Sequence, residues 1–148
     1  MSAPSRLHAA AIAAILNAAL PASVDVYVAK VDKADADLTY PYVVIWPPPA
    51  RRPLDSLAGW TGGTVTTRTQ ITGAGTSDDE VLASLDRAAE ALHGVTPTIA
   101  GRTCGQIQQA DEQPNPITVD PTVKTTGTDP GRDIYMGFII VQLSSYTT

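Results

Sequence analysis

Two stretches of this chain are closed to helix interiors and central strands, and they divide everything else. The first runs from Trp46 to Gly63 and contains Pro47-Pro48-Pro49-Ala50-Arg51-Arg52-Pro53. The second runs from Asp111 to Arg132 and contains Pro114-Asn115-Pro116, Asp120-Pro121 and Asp129-Pro130-Gly131. Proline has no N–H to give to a helical turn or a strand ladder. The regular elements must therefore lie outside these arms, which are expected to be extended loops over residues 47–63 and 111–132. Loops longer than about 12–15 residues are uncommon in domains, and where they occur they are usually functional or disordered.

The segments between the arms carry clear periodicities. Ser5 to Ala19 is alanine-rich, with Pro4 tolerated in a first turn and Pro21 as the stop. Ile12, Ile15, Leu16 and Ala19 share one helical face, so the segment reads as a retained amphipathic helix. It imitates a signal peptide only loosely, because Asn17 interrupts the apolar run and one basic residue, Arg6, precedes it. Val24 to Lys30 alternates with period two and reads as a half-buried strand. Tyr40 to Trp46 is apolar on both faces and reads as a central strand once past Pro41. Thr64 to Thr72 is a β-branched strand with at least one polar face, which must meet solvent or a partner. Gly73-Ala74-Gly75 is expected to turn the chain.

Ser77-Asp78-Asp79-Glu80 fits a capping box, with Ser77 as the N-cap and Glu80 reaching back. Val81, Leu82, Leu85, Ala88, Ala89 and Leu92 form the expected core stripe of this second helix, and Gly94 closes it. Thr98 to Ala110 is a weaker strand or strand pair, with Ile99 and Ile107 as core residues and Gly101 as a turn. Ile134 to Leu143 is the strongest strand. The order α-β-β-β-α-β-β predicts a single α+β domain over residues 1–148. It would have a mainly antiparallel mixed sheet with two helices packed on one face.

Composition narrows the function. With 148 residues a chain can bury enough surface to fold without metals or disulfides. A formal net charge of -5 argues against a general nucleic-acid binder, which needs clustered Lys and Arg. Cys104 is the one cysteine, so no internal disulfide can form; a buried or half-buried inert thiol in a reducing compartment is expected. No apolar run reaches the length of a membrane span.

No catalytic constellation, cofactor site or metal site is expected. Thr72 to Ser77 stands where a phosphate-binding loop would, between a strand and a helix, but Asp78, Asp79 and Glu80 fill the helix mouth and repel phosphate. Asp32, Asp35 and Asp37 lack the glycine and terminal Glu of an EF-hand loop. His8 and His93 are far apart and form no zinc pattern with Cys104. The expected activity is therefore contact with other proteins. The candidate interface residues are Trp46, Arg51, Arg52, Trp60, Arg68 and Arg132, because aromatic and Arg side chains dominate binding hot spots. Trp46 and Trp60 each also have a reading as core.

A helix over Ser5 to Ala19 runs straight into Val24-Asp25-Val26-Tyr27-Val28. Then come Tyr40-Pro41-Tyr42-Val43-Val44-Ile45, the capped helix Ser77 to His93, and a closing strand from Arg132 to Val141. In element order, size and local sequence the chain resembles the tail terminator (tail completion) proteins of long-tailed bacteriophages. The resemblance implies a homo-oligomer, a hexameric ring on the end of the tail tube. That ring stops tube polymerisation and presents a joining surface to the head. The implied partners are the tail tube protein and a head–tail connector protein, with DNA passing through the lumen unbound. The implied location is the virion, after assembly in the host cytoplasm. The proline arm after Trp46 departs from the family pattern. Two other readings stay open: another phage neck protein, such as a connector or stopper, and a cytoplasmic small-ligand-binding α+β domain, which would need a concave pocket with converging polar groups.

Overall fold

The computed structural model describes residues 3–34, 37–52, 64–110, 116–125 and 131–148. It is an α+β fold of two helices and one mixed sheet.

Helix α1 spans Pro4–Ala19 and ends where the Leu20 N–H reaches the Leu16 carbonyl at 2.8 Å, just ahead of Pro21. It buries His8, Ala9, Ile12 and Leu16, with Ile15 partly covered. Ala19, expected on that face, is exposed.

Strand β1 (Asp25–Val28) pairs in parallel with β2 (Tyr42–Trp46). The connection between them is tied down at Asp25, whose Oδ2 accepts from Lys33 Nζ at 3.0 Å and from Thr39 Oγ1 at 3.1 Å. Strand β2 is flanked on its other side by antiparallel β3 (Val65–Gly75), so it is internal, as its two apolar faces require.

The expected turn at Gly73-Ala74-Gly75 is instead the end of β3. Gly73 is paired with Val43 on one side and with Gly137 on the other. The glycines serve a different need, the approach of helix α2 (Asp78–Leu92). A Cβ on Gly73 would sit 3.2 Å from Leu85 Cγ, and one on Gly137 3.3 Å from Leu85 Cδ1. Two facing glycines make the shallow seat into which Leu85 and Val81 pack.

Helix α2 begins as expected. Ser77 Oγ accepts from the Glu80 N–H at 3.2 Å. Glu80 turns back one residue further than the motif predicts, accepting from the Thr76 N–H at 2.8 Å and Thr76 Oγ1 at 3.1 Å. Val81, Ser84, Leu85, Ala88 and Leu92 are buried. Leu82, placed in the core stripe by periodicity, is 45% exposed, because the stripe that reaches the sheet is the 81–85–88–92 ridge. Gly94, at φ +77°, closes the helix in the left-handed region.

Strand β7 (Asp133–Thr147) is the spine of the sheet. One edge pairs with β3 from Val65↔Ser145 to Gly75↔Tyr135. The other edge is served in turn by β6 (Thr118–Lys124), β5 (Gln108–Gln109) and β4 (Arg102–Cys104). Strand β6 overturns the expectation that 111–132 is all loop. Pro121 argued against a strand there, but the register slips between Asp120 and Lys124, and such an irregularity on an outer strand is where a ladder tolerates proline. Ile107 is fully buried and Gly101, at φ +77°, makes the expected turn.

Both helices lie on one face of the sheet. On β3, Thr67 meets α1 through His8, and Gly73 meets α2 through Leu85; both are odd-numbered and share a face. The core between the layers includes Ile12, Leu16, Val43, Ile45, Ile71, Val81, Leu92 and Leu143. Each such side chain contributes about 1.5–3 kcal/mol by its burial.

Candidate assembly surface

The second face of the sheet carries the even-numbered residues of β2, β3 and β7. Register places Tyr42, Val44 and Trp46 beside Ala74, Thr72 and Gln70, and these beside Met136, Phe138 and Ile140. Further along, Arg68 lies beside Gln142 and Thr66 beside Ser144. Neither helix packs on this side.

Trp46 stands on it 42% exposed and Met136 44% exposed. The reading of Trp46 as core is thereby corrected. The alternation that buries Val43 and Ile45 sends Trp46 to the other face, where its Nε1 donates to Thr72 Oγ1 at 3.1 Å. Trp46, Thr72, Met136 and Phe138 help to line an apolar groove of about 350 Å³.

Of the predicted interface residues, the structure gathers Trp46, Arg51 and Arg68. The first arm does not leave the sheet at once. Arg51 and Thr66 exchange both backbone hydrogen bonds, at 2.9 and 2.8 Å, so after the prolines the chain still runs antiparallel to β3, in the direction of β2. That bridge sets Arg51 on the same face as Thr66, close to Arg68, whose Nε donates to Gln142 Oε1 at 3.4 Å. Arg52 is exposed. Arg132 is exposed at the far end of β7, about a dozen residues along the strand from Ser144, roughly 40 Å at ~3.3 Å per residue. It therefore does not belong to the same patch. Trp60 lies outside the described residues.

Beneath α1 lies a buried polar cluster that no sequence motif announces. His8 is fully buried; its Nε2 lies 2.6 Å from Ser145 Oγ and its Nδ1 2.8 Å from Thr67 Oγ1. Arg102 Nε donates to Ser145 Oγ at 2.7 Å. A directed chain satisfies all four groups: Arg102 donates to Ser145, Ser145 to His8 Nε2, and His8 Nδ1–H to Thr67. Burial, with the Arg102 charge adding to it, holds the His8 pKa down at about 4 rather than 6.5. The Ser–His distance suits nucleophilic catalysis, but both side chains are sealed from solvent and the Ser145 oxygen is already engaged by Arg102. The cluster is a structural clamp. No signal short of the fold could have joined residues 8, 67, 102 and 145.

The remaining chemical candidates stay apart. Burial pushes the half-buried Cys104 thiol up, away from the reactive thiolate, as expected of an inert cysteine. Asp32 pairs with Lys30 at 3.3 Å, and Asp35 lies outside the described residues. Among the described residues no three His, Cys, Asp or Glu side chains converge as metal ligands, and no helix is long and apolar enough to cross a membrane.

No family model and no curated protein matches the chain. Among solved structures, it is similar to a chain from the virion of a native gene transfer agent particle. The TM-score is 0.58 at 15% identity, over 93% of this chain and 85% of that one. At that identity what the two share is the fold.

Proposed function

We propose that this chain is a structural component of a phage-type virion and acts as a tail terminator. On this reading it forms a ring on the end of the tail tube, stops further polymerisation, and offers the head its joining surface. The observation that carries the reading is the similarity, along nearly its whole length, to a chain that is itself part of a virion particle. The sheet supports it physically. One face is covered by helices, and the other presents an exposed Trp, an exposed Met and arginines, the residue types that anchor protein contacts. A net charge of -5 keeps DNA mobile in a lumen.

Negative-stain electron microscopy of the protein with tail tubes tests the proposal. Open-centred rings capping the tube ends are expected. A phage lacking the protein should make overlong tails without heads. Normal tails beside filled or leaking heads would instead assign the chain to a connector or stopper at the neck.

A further inference from the structure

A ring of identical copies needs two different surfaces on each copy, one to meet the next. The polar strand β3 and the arginine arm could have been those two surfaces, but the fold puts them on the same side. Arg51 and Arg68 both lie on the outer sheet face with Trp46. The complement must come from elsewhere, and charge points to where it is.

Strands β2 and β3, and β7 from Met136 to Ser144, contain no carboxylate at all, while Arg68 projects from their outer face with Arg51 bridged beside it. Helix α2 has the opposite character. It holds Asp78, Asp79, Glu80, Asp86 and Glu90 against the one Arg87. Asp79, Leu82, Asp86 and Glu90 fall three and four residues apart, so they form one stripe. All four are exposed. Leu82, 45% exposed, is the apolar residue of that stripe. Each surface thus has an apolar centre with charge around it, and the two signs are opposite. The groove of about 350 Å³ between Trp46 and Met136 is large enough for an aliphatic side chain. A helix laid on the outer sheet face would also supply a helical layer there, which α1 and α2 of the same copy do not.

We infer that copies of this chain dock head to tail, with the acidic α2 stripe of one copy, centred on Leu82, seated on the outer sheet face of the next, between Trp46 and Arg68. The inference deepens the ring reading and rests on it. The contact is heterologous, so an open row of copies keeps one free sheet face at one end and one free helix at the other until the ring closes. Its rim is ionic and weakens as salt rises.

The test uses two sets of charge reversals in the full chain, read by analytical ultracentrifugation and electron microscopy at low and high ionic strength. Arg51→Glu with Arg68→Glu makes both surfaces acidic. Asp86→Lys with Glu90→Lys makes both basic. Each protein alone is expected to associate about tenfold or more weakly than the wild type. All sites are exposed, so melting temperatures should stay close to wild type. An equimolar mixture of the two is expected to recover assembly, because alternating copies again bring opposite charges together at every contact. Wild-type rings with reversed variants that assemble equally well would overturn the assignment of surfaces and leave the ring reading standing. Failure of the mixture to recover would likewise overturn the pairing. A wild-type chain that stays monomeric at all concentrations and ignores tube ends would overturn both.

Discussion

His8 and Ser145 are 137 positions apart in the chain, and in the fold His8 Nε2 lies 2.6 Å from Ser145 Oγ. The contact fastens the first helix to the last strand. Burial beside the Arg102 charge requires the imidazole to stay neutral, with one ring nitrogen donating and the other accepting.

That requirement fixes a pH dependence. The folded pKa of about 4 lies below the unfolded value of 6.5, so between those limits the unfolded chain binds the extra proton and the folded one does not. Stability from this group is full above about pH 6.5 and is lost as pH falls toward 4, by at most about 3 kcal/mol. Urea unfolding across that window should show the decline. His8→Gln should lower stability throughout and remove this part of the slope.

Thr69 offers the reverse test. Its hydroxyl is buried in the core-facing row of β3 without a hydrogen-bond partner among the described residues. Thr69→Val keeps the shape and removes the unpaired oxygen, and should raise stability by about 1 kcal/mol. A melting temperature that falls would mean the hydroxyl is satisfied after all.

The seat of α2 depends on the absence of side chains. Gly73→Val would drive branched carbons against Leu85 and Val81, whose atoms already lie 3.2 to 3.5 Å from an ideal Cβ. Overpacking of this kind costs about 1–3 kcal/mol. The loss should appear in chemical denaturation with the unfolding slope unchanged.

Ser77→Ala removes the acceptor for the Glu80 N–H and should cost about 1 kcal/mol. Ser77→Asp keeps the acceptor and should restore most of that loss. Equal stability for Ser77→Ala and wild type would show that the cap contributes nothing.

Local chemistry was legible in the sequence wherever it was one-sided. The Ser77 cap, the Gly94 stop, the Gly101 turn and the placing of β2 inside the sheet each followed from a residue with one reading. Features with two readings were lost. Glycine suits a turn and also the close approach of a helix, and Gly73 turned out to be the second. Pro121 argues against a strand unless a register slip absorbs it, and here one does. Trp46 closes a strand apolar on both faces, and period two cannot say which face the helices will cover. The patch of Trp46, Arg51 and Arg68 was legible residue by residue, but its shared face came only from strand pairing. The same pairing excluded Arg132.

Strand β7 carries one more consequence, for the order of events during folding. It is the last described element, and it is the partner of β3, β4, β5 and β6 together. Val65 waits for Ser145 and Gly75 for Tyr135, so one side of β3 has no neighbour until β7 has been made. Helix α1 likewise lacks one of the two hydroxyls that hold His8, that of Ser145. Such long-range closure slows folding, because each pairing must first overcome the entropy of a long loop. The half-made chain exposes the open edge of β3 in the meantime. Synthesis and self-association are thereby separated: the outer sheet face that we assign to a neighbouring copy has no flat surface to offer until β7 is in place.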